Sequence, residues 1–385
     1  MVCGFADAAA ARVVARRAAV KYGGEPIDVV DEFKYLGVII KSHGSFAGPA
    51  AAARLQLARG SWFSLQARCK ELGVVTPAVT LNLFTTMVES VLSYGAEIWA
   101  PELIAAATRP GHPNGGGSDA EKEYTQYLAR LLGVSKSTTR AAVLAEVGLP
   151  PLWAAWLVRT ARFWNVAVAQ PEDSVLRSAL TASINLVDLY PSGSRGLARQ
   201  PWAAQFASAM RAVHMPLDLQ CPAAISIDDL TRACLSHHLL AVQGVASRAG
   251  STKFKYYLEE VCGGDLSPET YARAEYLSLR RGDQRRALAQ LRTGSHWLAE
   301  ETERRNGTAR EQRVCPHCAA HGQHVLENPQ HMVLDCSLYG DLRARHSELF
   351  QGGAAGGGLA AFLAQAAPAV ASFVGECRRR REGPA

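Results

Sequence analysis

The feature that most constrains this chain is the segment from Cys315 to Cys336, which reads CPHCAAHGQHVLENPQHMVLDC. Cys315 and Cys318 are separated by two residues, His331 follows after twelve more, and Cys336 after a further four. Two thiols on one turn, with an imidazole and a third thiol from a later element, have the ligand spacing of a tetrahedral zinc site. Four protein ligands leave no position open for water, so the spacing predicts a structural zinc ion and not a catalytic one.

The ligand set within this segment has alternatives. Three further histidines, His317, His321 and His324, lie in the same loop and compete for the metal. The cysteines could instead be buried free thiols, with the histidines on the surface. On a regular helix, positions 331 and 336 would lie roughly 140° apart. We therefore expect one of the two to lie at a helix end, where both can face one metal ion.

The composition is that of a globular protein with a mildly basic balance of charge. The chain has 385 residues and a formal net charge of +6, which is compatible with nucleic acid as a partner. Its nine cysteines are odd in number and mostly scattered, so we expect a reducing compartment, the nucleus or the cytoplasm. No apolar run reaches the ~18 residues of a transmembrane helix, and we expect no membrane contact. The Ala- and Arg-rich start leaves an organellar transit peptide as an alternative.

Hydrophobic periodicity predicts a mainly α fold, with an N-terminal β-hairpin remnant, a helical body and a small zinc-stabilised C-terminal lobe. Gly23-Gly24 predicts a hairpin turn, with strands over 27–30 and 33–40. Residues 46–72 have helical spacing, and Thr76-Pro77 is the start signal of the next helix. The side chains expected on the buried faces of these two helices are Leu55, Ala58, Trp62, Leu65 and Cys69, then Leu83, Phe84, Met87, Val88, Val91 and Leu92. The core is predicted to include Phe33, Leu36, Phe84, Val88, Leu92, Trp99, Leu131, Leu144, Trp153, Trp156, Phe163, Trp164, Leu288 and Leu291.

Several segments resemble one family of enzymes when they are taken in order. They are EFKYLGV after GGEPI, VESVLSYGAEIW, LLGVSKSTTRAAVLAEVGLPPL, RRALAQLRTGSHWL followed by RVCPHC, and SLYGDLRARH. This series resembles the region from the thumb to the CCHC zinc knuckle of reverse transcriptases from non-LTR (LINE-type) retrotransposons. The resemblance implies an element that copies RNA into DNA at a nicked target, with the knuckle helping to hold nucleic acid. It also implies that the chain starts within a longer ancestral reading frame.

The resemblance and the loop composition together predict the domain organisation. The expected segments are residual palm-edge strands at 1–45, thumb-like helices at 46–107, a helical linker domain at 119–300, the CCHC zinc-knuckle region at 301–350 and a flexible tail at 351–385. Within the tail, a short apolar helix is expected around 359–374, after a Gly-rich linker at 352–358. The Gly- and Pro-rich stretch 108–118 is the expected linker between the thumb-like helices and the helical domain. Because the strands at 1–45 would normally pair with a palm, we expect them to present an unpaired edge.

The sequence offers no catalytic residues for polymerisation. A polymerase palm needs paired carboxylates that hold two metal ions. The one adjacent pair, Asp228-Asp229, stands at the start of an apolar-periodic helix, where acids favoured by the helix dipole are expected. Phe5-Ala6-Asp7 has Ala8 where a second aspartate would be needed. We therefore predict that this fragment, which lacks the catalytic palm, has no RNA-directed DNA polymerase activity alone.

Arginines surround the predicted zinc site and are candidates for binding RNA or DNA. From residue 270 onward they are Arg273, Arg280, Arg281, Arg285, Arg286, Arg292, Arg304, Arg305, Arg310 and Arg313. We predict phosphate contacts from Arg292, Arg313, Arg343 and Arg345, and stacking of a base on Tyr339. The alternatives are a solvated helix face for the arginines and a place in the zinc-bound core for Tyr339. The run Arg378 to Arg381 is expected to be solvated.

These observations favour a retrotransposon-derived fragment with zinc-dependent nucleic-acid binding. The main alternative is a host zinc-containing helical protein that acts in protein-protein interaction. An unrelated enzyme within the helical region is a third hypothesis, but no Ser/His/Asp or Cys/His set supports it. We expect no small-molecule substrate.

Overall fold

The computed structural model describes residues 8–18, 20–42, 44–45, 47–74, 76–108, 118–189, 200–246, 252–351 and 354–383. The helices are α1 (Ala8–Ala18), α2 (Ala47–Glu71), α3 (Pro77–Phe84), α4 (Ser90–Leu92), α5 (Ala96–Ala107), α6 (Asp119–Leu132), α7 (Arg140–Val147), α8 (Leu152–Val168), α9 (Val175–Leu189), α10 (Trp202–Ala212), α11 (Ile227–Ala246), α12 (Thr252–Tyr256), α13 (Gly282–Arg292), α14 (Ala299–Arg305), α15 (Pro316–Ala320), α16 (Gly340–Arg345), α17 (Ala354–Leu363) and α18 (Ala367–Glu382). The strands are β1 (Lys21–Tyr22), β2 (Glu25–Pro26), β3 (Glu32–Tyr35) and β4 (Val38–Lys41). The predicted mainly α class is confirmed. The Phe5-Ala6-Asp7 stretch and linker residues 109–117 lie outside the described residues.

The N-terminal strands form two separate antiparallel hairpins. Gly23 and Gly24, with φ of 59° and 91°, join β1 to β2, so the predicted turn is confirmed. The predicted strand at 27–30 is wrong, because these residues follow β2 as irregular chain. The single strand predicted at 33–40 is also wrong, since Leu36 and Gly37 have positive φ and reverse the chain between β3 and β4.

Most of the predicted core is confirmed, but the second hairpin lies outside it. Phe33 is 52% exposed and Leu36 is 72% exposed. Their side chains lack the sheet that would cover them, because β3 and β4 pair only with each other in the described chain. Leu131 and Phe163 are half-buried, and the ten other predicted core residues are buried.

The chain divides into two compact units, each built from discontinuous segments. Unit 1 comprises Met1–Phe63, Thr86–Glu123 and Pro151–His238, and unit 2 comprises Ser64–Thr85, Tyr124–Pro150 and Leu239–Ala385. The predicted segments were consecutive along the chain, and this division is not.

Tryptophans on three helices form the core of unit 1. The rings of Trp99 on α5 and Trp156 on α8 meet edge to face, with centroids 5.0 Å apart. Trp156 Nε1 donates to Ser93 Oγ at 3.1 Å, which satisfies the buried indole N–H. Trp164 on α8 lies against Trp202 on α10, with centroids 6.4 Å apart. Aromatic packing of this kind, and not helix propensity, holds these helices together.

A buried carboxylate begins helix α8. Glu121 is buried, and its two oxygens accept the backbone N–H groups of Leu152 and Trp153 at 2.9 and 3.1 Å. These donors have no partner within the helix, and the positive end of the helix dipole favours the carboxylate. Glu121, which lies in another segment of unit 1, therefore caps the N-terminus of α8.

The helix that starts at Pro77 contains a π turn. Pro77 is its first residue and Thr76 precedes it with an extended backbone, as predicted. The π turn at Thr85–Glu89 joins α3 to α4 and shifts the helical register. The fully buried residues are consequently Leu81, Phe84, Val88 and Leu92. Met87 was predicted on this buried face and is exposed instead.

A buried cluster of hydrogen-bonded polar side chains lies in the core of unit 2. Glu146 on α7 is 1% exposed and accepts hydrogen bonds from Tyr257 Oη at 2.9 Å and Tyr276 Oη at 2.5 Å. Arg292 on α13 donates its Nε to both oxygens of Glu146, at 3.0 and 3.1 Å. Every oxygen of this buried carboxylate is thereby satisfied, as a buried charge requires.

The C-terminal segment, predicted as a flexible tail with one short apolar helix around 359–374, contains the two helices α17 and α18. Residues 367–382 form α18, and Val370, Phe373, Val374 and Cys377 on it are buried. Gln284 of α13 donates its Nε2 to Ser372 Oγ at 3.3 Å. The extension of α18 beyond Val374 was not predicted, because the partners of these residues, such as Gln290 for Arg378, lie almost 90 residues earlier in the chain.

No single helix among the described residues is both long and apolar enough to cross a membrane. One bent pair, Arg140–Val147 with Leu152–Val168, passes that test by length and composition together.

Candidate metal centre

The first two cysteines are held on a tight turn at the start of α15. Cys315 precedes the helix with an extended backbone, and its carbonyl accepts the N–H of Ala319 at 2.9 Å. Pro316, which lacks an N–H, occupies the first helical position at no cost. Cys315 N donates to Val325 O at 2.8 Å, so the turn is closed by the returning chain.

A π turn brings the other two ligands together. It spans His331–Asp335, and Cys336 N donates to His331 O at 2.8 Å, five residues back. The wider turn places residues five apart on one side of the helix, where a regular α-helix would separate them. Cys336 follows directly with an extended backbone, which confirms that one of the pair lies at a helix end. Asn328 Oδ1 accepts the N–H of His331 at 2.8 Å and fixes the start of the turn.

The four predicted ligands converge. One ligand atom each from Cys315, Cys318, His331 and Cys336 lies within 4.8 Å of the others, and all four residues are buried. Sγ of Cys336 is 3.8 Å from Sγ of both other cysteines, and Cys318 Sγ is 3.4 Å from His331 Nε2. With Zn–S bonds of about 2.3 Å, a tetrahedral site has sulfur-sulfur edges of about 3.8 Å. The cluster can therefore hold a metal ion, with dimensions consistent with zinc.

The competing histidines stay out of the cluster. His317 Nε2 is 3.1 Å from Ser337 Oγ, and His321 Nδ1 is 2.8 Å from the carbonyl oxygen of His317. His324 is exposed. In the parts of the chain that the structure describes, no other group of three or more Cys, His, Asp or Glu ligand atoms lies close enough to share a metal.

Burial changes the protonation of the ligands when no metal is bound. It raises the pKa of Cys336 to about 12, raises that of Cys318 and lowers that of His331. The two thiols are thus protonated near neutral pH, and a metal must displace these protons when it binds.

Glu327 and Arg381, which the sequence pattern did not identify, hold the metal-binding loop in place. The metal-binding loop is the segment 315–336, which carries the four predicted ligands. Glu327 lies between Cys318 and His331 in the sequence and is buried. Its Oε2 accepts the N–H of Ala299 at 2.8 Å. Arg381 on α18 donates its Nε to Glu327 Oε1 at 2.6 Å and an Nη to Oε2 at 3.2 Å. The bidentate pair is 54 residues apart in sequence, so no local pattern could reveal it. The prediction that Arg381 is simply solvated is wrong.

Three of the predicted phosphate-binding arginines are engaged within the protein. Arg292 is paired with buried Glu146. Arg313 donates to the carbonyl of Thr308 at 2.9 and 2.7 Å. Arg343 donates to the carbonyl of Cys336 at 2.6 Å and satisfies the end of the π turn. The prediction of phosphate contacts from these three is therefore not supported, because each already stabilises the fold.

The remaining two residues predicted to bind nucleic acid, Tyr339 and Arg345, differ in their exposure to solvent. Tyr339 is 2% exposed, so the prediction that it stacks a base is wrong and its place is in the core of the lobe. Arg345 has an exposed side chain, and its nearest ion pair joins Nη1 to Glu376 Oε2 at 3.1 Å. Arg345 alone keeps the surface position that the prediction required.

A polar cavity of about 450 Å³ lies beside the metal-binding loop in unit 2. Its lining includes Glu301, whose oxygens accept hydrogen bonds from Lys253, Arg304 and Arg305 at 2.6 to 3.2 Å. Burial alone would raise the pKa of Glu301, but these bonds outweigh it and lower the pKa to about 2. The three cations are consequently committed to one carboxylate. His296, which also lines the cavity, is buried, and burial lowers its pKa to about 4.

No known protein family, curated protein or solved structure matches this chain.

Proposed function

We propose that this chain is a fragment of a non-LTR retrotransposon reverse transcriptase that binds zinc at the Cys315, Cys318, His331 and Cys336 cluster and binds nucleic acid. The observation that supports the zinc assignment is the convergence of the four ligand atoms within 4.8 Å, with two sulfur-sulfur distances of 3.8 Å that are consistent with a tetrahedral zinc site. The four protein ligands leave no open position, so the ion is structural. The Asp228-Asp229 pair supports the absence of polymerase activity, because both residues lie in the first turn of α11.

Zinc acts on nucleic-acid binding through the fold and not through direct contact. The residues next to the ligands, Arg343 and Tyr339, are occupied inside the lobe. Zinc holds the loop that carries Glu327, and Glu327 in turn holds α18 through Arg381. Removal of zinc is therefore expected to release α18 and, with it, any surface that α18 forms.

The test uses the full chain and two cysteine variants. We expect one zinc per chain in the wild type, none in Cys318→Ser, and one in the control Cys221→Ser, whose thiol is exposed and distant in sequence. Fluorescence anisotropy with labelled single-stranded RNA and duplex DNA should give a Kd on the order of 1 µM at low salt, weakening steeply towards 0.2 M salt. Chelation and Cys318→Ser should abolish this binding, and Cys221→Ser should not.

A second candidate function is protein-protein interaction through the N-terminal hairpins. β3 and β4 form an isolated two-stranded sheet in the described chain and expose Phe33, Tyr35 and Leu36. Open strand edges with exposed aromatic side chains are sites where another chain can add a strand. Stoichiometric zinc without nucleic-acid binding in the test above would favour this second function. Absence of zinc from the wild type would contradict the metal assignment itself.

A further inference from the structure

Two arginine runs that are far apart in sequence meet where α13 packs on α18. Arg280 and Arg281 precede α13, Arg285 and Arg286 lie within it, and Arg378 and Arg379 lie on α18. The helices approach closely because Gly375 has no side chain. A Cβ there would lie 3.1 Å from Cα of Gln284 and 2.9 Å from its Cγ.

Contacts on one flank of α13 show how the arginines are arranged. Arg379 Nη1 is 2.6 Å from Asp283 Oδ2, and Arg378 Nη1 donates to Gln290 Oε1 at 2.9 Å. Positions 283, 286 and 290 are spaced i, i+3 and i+7 and therefore share one face of the helix. Arg286 thus lies between the two contacts and beside the arginines of α18.

The loop after α6 borders the same flank. Gln290 Nε2 donates to the carbonyl of Gly133 at 2.8 Å. A Cβ on Gly133 would lie 2.8 Å from Nε of Arg286, so the Arg286 side chain passes over this glycine. Lys136, three residues further along the loop, is exposed.

The positive charge of this surface is only partly neutralised. Asp283 is shared between Arg281 at 3.5 Å and Arg379 at 2.6 Å, and Glu382 pairs with Arg378 at 2.9 Å. Arg280 and Arg286 are exposed, and the described residues provide no ion pair for either. Arg285 is half-buried and donates to the carbonyl of Leu279, and its pKa is lowered first by burial and then by the charge of Arg286.

We propose that the surface formed by Arg280, Arg281, Arg286, Arg378 and Arg379 binds the phosphate backbone of a nucleic acid. Guanidinium groups match phosphate oxygens in a bidentate fork. A nucleic acid carries a phosphate at every nucleotide, so one strand can engage all of the uncompensated arginines, whereas a peptide offers carboxylates only at its acidic residues. Phosphate contacts carry no sequence information, so we expect this recognition to be independent of sequence. This inference rests on the proposed function and places its binding surface on α13 and α18.

The experiment compares two triple variants of the zinc-loaded full chain. Arg281→Gln/Arg286→Gln/Arg379→Gln removes three charges from the surface, two of them on side chains that are 64% and 50% exposed. Arg68→Gln/Arg162→Gln/Arg232→Gln removes three charges from exposed positions on α2, α8 and α11. Both variants should keep the zinc content and melting temperature of the wild type. Labelled duplex DNA of mixed sequence is the probe, titrated at several salt concentrations.

We expect the surface variant to bind at least about tenfold more weakly at 0.1 M salt, and the slope of log Kd against log salt to fall by about 2 to 3. The control variant should change Kd by less than about threefold. Equal effects of the two variants, or none from the surface variant while the wild type binds, would overturn the surface assignment and leave the proposed function standing. A wild type that binds no nucleic acid would overturn both. Displacement of the DNA by polyglutamate at equal charge concentration would assign the surface to an acidic protein instead.

Discussion

At the scale of single residues, Gly148 shows how closely two segments of unit 2 approach. It ends α7 with φ of 63°, a conformation that side chains disfavour. A Cβ at this position would lie 2.4 Å from the backbone N of Arg273 and 2.8 Å from the carbonyl carbon of Ala272. The neighbouring Ala274 N donates to Glu146 O at 3.0 Å. This hydrogen bond holds the segment 272–274 against the end of α7.

We predict that Gly148→Ala destabilises the protein by more than the backbone conformation alone explains. Gly263 has the same φ of 63° but nothing within 4 Å of a Cβ, so Gly263→Ala measures the cost of the left-handed backbone, about 1 kcal/mol. The clash with the 272–273 backbone should bring Gly148→Ala to about 3 kcal/mol or more, as overpacking does. Urea unfolding of both variants is the measurement, and equal losses would contradict the close approach.

Residues whose partners are nearby in sequence were predictable, and those with distant partners were not. The four residues of the candidate metal site lie within one short segment, and their spacing predicted the cluster that the structure forms. Arg292 pairs with Glu146, which lies 146 residues earlier in the chain. The local charge pattern could not show this partner and suggested a surface role, which the structure contradicts. The π turn between His331 and Cys336 also escaped prediction, because five-residue helical turns have no reliable local sequence signal.

At the scale of elements, α18 joins the helical part of unit 2 to the metal-binding loop. One side of it packs on α13 through Ser372 and Gly375, and its last turn pairs Arg381 with Glu327. Composition predicted only a short apolar helix in a flexible tail, because the stretch preceding it is rich in glycine and four arginines follow its apolar part. The amphipathic character of α18 becomes clear only when the buried surface of α13 is opposite it.

We predict that the backbone amides of residues 370–377 exchange slowly with deuterium and that chelation of the metal speeds their exchange. Burial of Val370, Phe373 and Val374 places them in the stable part of unit 2, and loss of the metal loosens the loop that holds Arg381. Exchange measured by mass spectrometry checks this, with the exposed helix α1 as a rapidly exchanging reference. Protection of 370–377 that is unaffected by chelation would show that α18 is independent of the metal.

At the scale of the whole molecule, buried carboxylates are a recurring means of joining segments. Glu121, Glu146, Glu301 and Glu327 are all buried, and each accepts hydrogen bonds from residues distant in sequence or from several cations. Loss of one of these carboxylates is therefore expected to destabilise the fold, because its buried donors are left unpaired.

Glu301 gives this expectation a definite pH range. Its pKa in the folded protein is lowered from 4.5 to about 2, so between these values the unfolded chain binds protons more tightly and stability falls as the pH falls. At pH 6 we expect Glu301→Gln to lose about 3 kcal/mol, because three cations lose their charged partner. The difference from the wild type should shrink as the pH is lowered from 6 to 3.

Urea unfolding at several pH values measures this difference. Glu172→Gln, at an exposed position, is the control and should stay close to the wild type throughout. A loss in Glu301→Gln that is the same at pH 6 and pH 3 would show that the charge of Glu301 does not contribute.

The pairing of Glu327 with Arg381 also bears on the order in which the metal-binding loop and α18 can fold during synthesis. The metal ligands through Cys336 leave the ribosome well before Arg381, which follows Glu327 by 54 residues. During that interval the nascent loop can already bind metal, while its carboxylate stays hydrated because no cation has arrived to neutralise it. We therefore expect the lobe to close in two stages: a bound metal first fixes the loop, and the arrival of α18 then drives water from around Glu327.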